Sequence, residues 1–142
     1  MASQPEPRET SPRCATAWLA GAWLLAIVAL SATASVRPQV VLQWTHHLPG
    51  RDKTGHFLLM GGFAGVSVLG FAGRRIAARR ISAPAVLAVV ALLVVLEECA
   101  QLWLPNRTFS TLDLASSLAG VAGFGALAAA WRARRGRAVS GS

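Results

Sequence analysis

The sequence predicts an all-α integral membrane protein, a four-helix bundle with both termini on the cytoplasmic side (N-in, C-in). Three observations carry that prediction. The chain is 54% apolar and only 14% charged, against roughly 45–50% and about 25% for an ordinary soluble domain. Four long stretches are free, or nearly free, of charge. The basic residues fall unequally on the loops between those stretches. A length of 142 residues allows one small domain. Two cysteines, Cys14 and Cys99, are too few for a disulfide scaffold.

The first stretch, Ala15 to Val36, holds 22 residues without a charge. As a helix rising about 1.5 Å per residue it exceeds a hydrocarbon core of about 30 Å. Arg8 and Arg13 precede it, and Ala32-Thr33-Ala34 has the small-x-small form of a signal-peptidase site. The apolar run is longer than the usual signal core of about 7–15 residues, so the helix is expected to be retained. Thr54 to Gly73 is the second stretch, 20 residues long. The third runs from Ile81 to Leu96 and on through Glu97, Glu98 and Gln101 to Leu104, where Pro105 is expected to end it. The fourth, Leu114 to Trp131, has 18 residues. Helices are the expected form because a backbone in lipid must satisfy its own hydrogen bonds. Strand alternation, which a membrane barrel would need, is absent. The expected organisation is an N-terminal tail at 1–14, a transmembrane domain at 15–131 and a basic tail at 132–142.

Charge orients the bundle. Arg8, Arg13, Arg74, Arg75, Arg79, Arg80, Arg132, Arg134, Arg135 and Arg137 fall on one side, and Arg37, Arg51, Lys53 and Arg107 on the other. The positive-inside rule puts the first group in the cytoplasm. The net charge of +8 is then read as membrane orientation and attraction to anionic headgroups, and no nucleic-acid partner is expected. Four of the acids, Asp52, Glu97, Glu98 and Asp113, fall at the outer helix ends, where they balance the four outer basic residues. Cys14 is expected near the inner boundary and Cys99 near the outer one, too far apart for a bridge needing Cα atoms within about 7 Å.

Two outer loops carry the polar residues. Asp52 and His56 are four apart on a helix start and share a face. Glu97 and Gln101, and Glu98 and Gln101, are spaced to share a stripe. Asp52 and Asp113 are placed to cap their helices, with Ser117 one turn below Asp113. Glu98, Gln101 and His56 sit in otherwise apolar segments, where an unpaired charge costs at least about 2.5–3.5 kcal/mol, so they are expected to face the bundle with partners. Arg107 is the expected partner of Glu98 or Asp113, since its planar fork holds a carboxylate with two bonds. Lys53, Arg51 and Arg37 read equally well as side chains reaching to the interface. By spacing alone, a structural network and a functional site stay open alternatives. A metal site is conceivable from His56 and the carboxylates, but the adjacent His46 and His47 lack a typical ligand spacing, and neither a metal nor another cofactor is expected. Serine-nucleophile motifs are absent, whereas general acid–base work by His56 with Asp52 or Glu98 is chemically feasible. Small residues at Gly61 and Gly65, and at Ser116 and Gly120, predict close packing of the second helix on the fourth.

The pattern resembles the VanZ-like family of membrane proteins, named for an accessory teicoplanin-resistance protein. Asp52-Lys53-Thr54-Gly55-His56-Phe57 matches its first motif, with Ser35-Val36-Arg37-Pro38 upstream. Glu98, Gln101, Arg107, Ser110 and Asp113 match the second, with Gly120 seven residues on. The match covers about residues 35 to 125. It departs at Ser117, where the family usually has Asn, and at Met60, where an aromatic is common. The resemblance implies a multi-pass protein of the cytoplasmic (inner) membrane with an extracytoplasmic polar site and a cell-envelope or glycopeptide-resistance role. The expected partners are the bilayer and a lipid or cell-wall precursor, with an oligomer left open. Two alternatives stand beside it: a small membrane-embedded enzyme acting on an envelope lipid, and a structural assembly subunit.

Overall fold

The computed structural model describes residues 12–37, 39–40, 50, 52–76, 78–104 and 107–140. The stretches containing Arg8, His46, His47, Arg51, Pro105 and Asn106, and the side chains of Arg13 and Cys14, lie outside them. Helix α1 spans Pro12–Val36, α2 Asp52–Phe71, α3 Ala83–Ala100 and α4 Thr111–Ser140. A 3-10 turn at Gln101–Trp103 extends α3, and two short strands, β1 (Arg75–Ile76) and β2 (Arg79–Arg80), join α2 to α3. All four helices are long and apolar enough to cross a membrane. Many of their large apolar side chains face outward: Trp18 is 78% exposed, Leu25 71% and Leu127 70%. An apolar outer surface on this scale suits an apolar solvent, as expected of a membrane protein.

Helix α2 is the hub. It packs on α1, α3 and α4, and its contact with α4 is the most extensive. Met60, Phe63, Ala64 and Val68 of α2 form the core with Val86, Val90 and Val94 of α3 and Val121 and Ala128 of α4. The three valines recur every fourth residue, so they lie on one face of α3. Trp23 ties α1 to the hub by donating its indole N–H to the Leu59 carbonyl at 3.0 Å.

Backbone approach is tightest where α2 crosses α4. A Cβ on Gly120 would overlap the Phe57 carbonyl oxygen, and one on Gly61 would lie 3.0 Å from the Gly120 oxygen and 2.7 Å from Phe124 Cδ2. The other expected packing positions are looser. A Cβ on Gly65 would meet Phe124 at an ordinary 3.8 Å, and Ser116 is half-exposed and bonds its own helix at Leu112 O, 2.8 Å. Two inclined cylinders touch closely at one point, so one small residue from each expected pair sets the approach.

The helices alternate in direction. Thr16 and Ala17 of α1, Gly70 of α2 and Arg132 of α4 gather at one end. There Arg132 donates to the carbonyls of Leu69 (3.1 Å) and Ala72 (2.5 Å), satisfying acceptors that every helix C-terminus leaves open. Gly73 follows at φ +79°, the left-handed geometry that commonly stops a helix. Two features here go beyond the sequence expectation. The inter-helix loop forms an antiparallel ladder pairing Arg75 with Arg80. The segment read as a basic tail from residue 132 continues α4 to Ser140, which alanine and arginine favour.

Candidate functional site

At the opposite end meet the start of α2, the end of α3 and the start of α4, beside the last turns of α1. The entry to α4 is built by Ser110. Its Oγ accepts from Asp113 N at 3.3 Å, and its carbonyl accepts from Asp113 N and Leu114 N at 3.1 and 3.0 Å. Ser110, rather than Asp113, is therefore the N-cap. Serine holds the cap with its own hydroxyl, so the Asp113 carboxylate at the third helical position is free to reach α2. Lys53 Nζ lies 3.7 Å from Asp113 Oδ1, an oxygen that is buried and has no hydrogen-bond partner among the described residues.

Asp52 and His56 share a face, with Asp52 Oδ1 3.9 Å from His56 Nε2. The other ring nitrogen, Nδ1, lies 3.1 Å from Ser117 Oγ across the α2–α4 contact. Ser117 thus supplies His56 with a hydrogen-bonding partner from α4. The Ser117–His56–Asp52 chain superficially matches a nucleophilic triad. Ser117 is only 1% exposed, so its hydroxyl is not presented to a substrate.

Of the two pairings that the spacing allowed for Gln101, one forms, and the two glutamates divide their work. Glu98 is 1% exposed, and its Oε1 accepts the Ser110 N–H at 3.0 Å, tying α3 to the start of α4. Gln101 turns to Glu97, donating to Oε1 at 3.0 Å, and the same oxygen accepts from Ser31 Oγ of α1 at 2.8 Å. Sequence reasoning undervalued Glu97 and passed over Ser31. Their signal is weak, because a serine in a transmembrane run reads as a spacer until the opposing helix is placed. The expected pairing of Arg107 with Glu98 or Asp113 does not form. Glu98 is taken by the Ser110 backbone and Asp113 by Lys53, and the buried Arg107 Nε has no partner among the described residues.

Arg107 instead lines a cavity of about 380 Å³ with Asp52, His56, Glu97 and Ser31. Ile27, Leu30 and Ala34 of α1 and Leu59 and Met60 of α2 form its apolar walls. Glu98, Gln101 and Ser110 stand behind it as struts. The cavity therefore carries cationic, anionic and hydroxyl groups on a lining that is mainly hydrocarbon. Where α2 meets α4, Asp52, His56 and Asp113 each offer one ligand atom, all within 4.8 Å of one another.

Among known proteins, no family model, curated protein or solved structure matches this chain.

Proposed function

We propose that this is a VanZ-like protein of the cytoplasmic membrane, both termini inside, whose outer cavity holds the headgroup of an anionic envelope lipid or lipid-linked cell-wall precursor. One observation carries the reading: Arg107, whose Nε has no hydrogen-bond partner among the described residues, lines a mainly apolar cavity together with Asp52, His56, Glu97 and Ser31. That shape suits an amphiphile. A guanidinium recognises phosphate through paired, charge-assisted bonds. Glu97 and Asp52 would accept from hydroxyl or amine groups of the same headgroup. The apolar walls would take the first carbons of an acyl or prenyl chain. The distribution of arginines supports the orientation, and the resemblance supports an envelope role related to glycopeptide resistance.

Binding of a radiolabelled phosphate-bearing lipid to the detergent-purified protein tests this. Arg107→Gln is expected to weaken binding about tenfold or more, the equivalent of one charge-assisted hydrogen bond at roughly 1.5–3 kcal/mol. Equal binding by wild type and Arg107→Gln would overturn the reading. His56 lining the same cavity favours a second reading, an enzyme using His56 as acid or base on that lipid. Turnover of the bound lipid that disappears in His56→Ala would select it.

A further inference from the structure

We propose that Asp52, His56 and Asp113 form a binding site for a divalent transition-metal ion, with zinc as its test ion, and that the Lys53 ammonium holds the place of that ion in its absence. The three residues come from two helices, and their ligand atoms lie within 4.8 Å of one another. Side-chain rotations of about an ångström bring such a set to metal–ligand distances of about 2.0–2.2 Å. One imidazole with two carboxylates is a donor set for zinc-like ions rather than for calcium, which takes oxygen alone.

Two further observations point to an ion rather than to a plain ionic cluster. A ligating histidine almost always has its second nitrogen held by a hydrogen bond. His56 meets that condition: Nδ1 is 3.1 Å from Ser117 Oγ, and Nε2 is directed to Asp52. In addition, Asp113 Oδ1 is buried with no hydrogen bond among the described residues, and Lys53 Nζ stands off at 3.7 Å, beyond normal hydrogen-bond length. That oxygen thus has a counter-charge but no hydrogen-bond donor among the described residues, and a buried acceptor in that state is costly. The Lys53 side chain is 49% exposed, free to swing to solvent when a divalent ion arrives. Three protein ligands leave coordination positions for water or for ligand oxygens. Asp52 and His56 also line the cavity, so an ion held there would add positive charge beside Arg107.

The ion is measured without lipid, so this proposal and the lipid-binding reading fail separately. Untagged full-length protein in detergent is stripped with chelator and dialysed against zinc, and bound metal is quantified per chain together with the melting temperature. One zinc ion per chain and a raised melting temperature are expected. His56→Ala and Asp113→Asn should lose the ion, and Ser117→Ala should weaken it about 10–100-fold. Lys53→Met should bind it more tightly, whereas His46→Ala with His47→Ala should leave it unchanged. The melting temperature of each stripped variant reports folding, and Lys53→Met carries the test even if a ligand variant does not fold. Absence of a stoichiometric ion in wild type, retention of it in both ligand variants, or weaker binding by Lys53→Met would overturn the proposal.

Discussion

Among the described residues Glu98 is the most completely buried large polar side chain, and it bonds to the Ser110 backbone. Glu98→Ala removes that acceptor and opens a void, so it is expected to destabilise the protein by about 2–4 kcal/mol. Glu98→Gln retains a carbonyl acceptor and should cost markedly less; thermal melting in detergent measures both. The partner of each acid is equally testable. Ser31 and Glu97 share a 2.8 Å bond, so a double-mutant cycle between them should show coupling of about 0.5–3 kcal/mol. Glu98 and Arg107, whose pairing the spacing suggested, should be close to additive. Burial of Glu98 was legible from a charge set in an apolar run. Its partner was not, because spacing gives a residue's own face and not what the neighbouring helix brings to it.

At the scale of elements, the α2–α4 crossing rests on Gly120 and Gly61. Gly120→Ala would drive a methyl group into the Phe57 carbonyl, a backbone atom that cannot rotate away. It is expected to destabilise by about 1–3 kcal/mol, the usual range for overpacking. Gly65→Ala meets only an ordinary contact and Gly123→Ala meets nothing within 4 Å, so both should be neutral or slightly stabilising, since alanine favours helix over glycine. Comparative melting of the three variants checks the ranking, and equal loss at Gly65 would contradict the crossing geometry. The small-residue motif identified the two helices that meet. It did not identify the point of contact, which depends on their crossing angle.

For the whole molecule, the proposed orientation follows from the arginines that gather where α2 ends and α4 leaves the bundle. Reporter fusions in the Arg75–Arg80 hairpin and after Ser140 should both read as cytoplasmic. A periplasmic signal from either would reverse the side on which the cavity opens. The bundle itself brings the polar start of α2 to the polar start of α4, because alternating helices put every second loop at the same end.

The sequence by itself determined the four helices, the outward apolar surface and the gathering of polar residues at one end. These are properties of composition and run length, which the solvent reads directly: an apolar segment of this length has few alternatives to a spanning helix. Only the tertiary structure decided that Ser110 caps α4, that Asp113 is thereby released toward His56, that Glu97 rather than Glu98 receives Gln101, and that Arg107 faces a cavity. Each of these depends on which atoms lie across a helix interface a few ångströms wide. A shift of one residue in the α2–α4 contact would pair different side chains while leaving every hydrophobic run in the sequence unchanged.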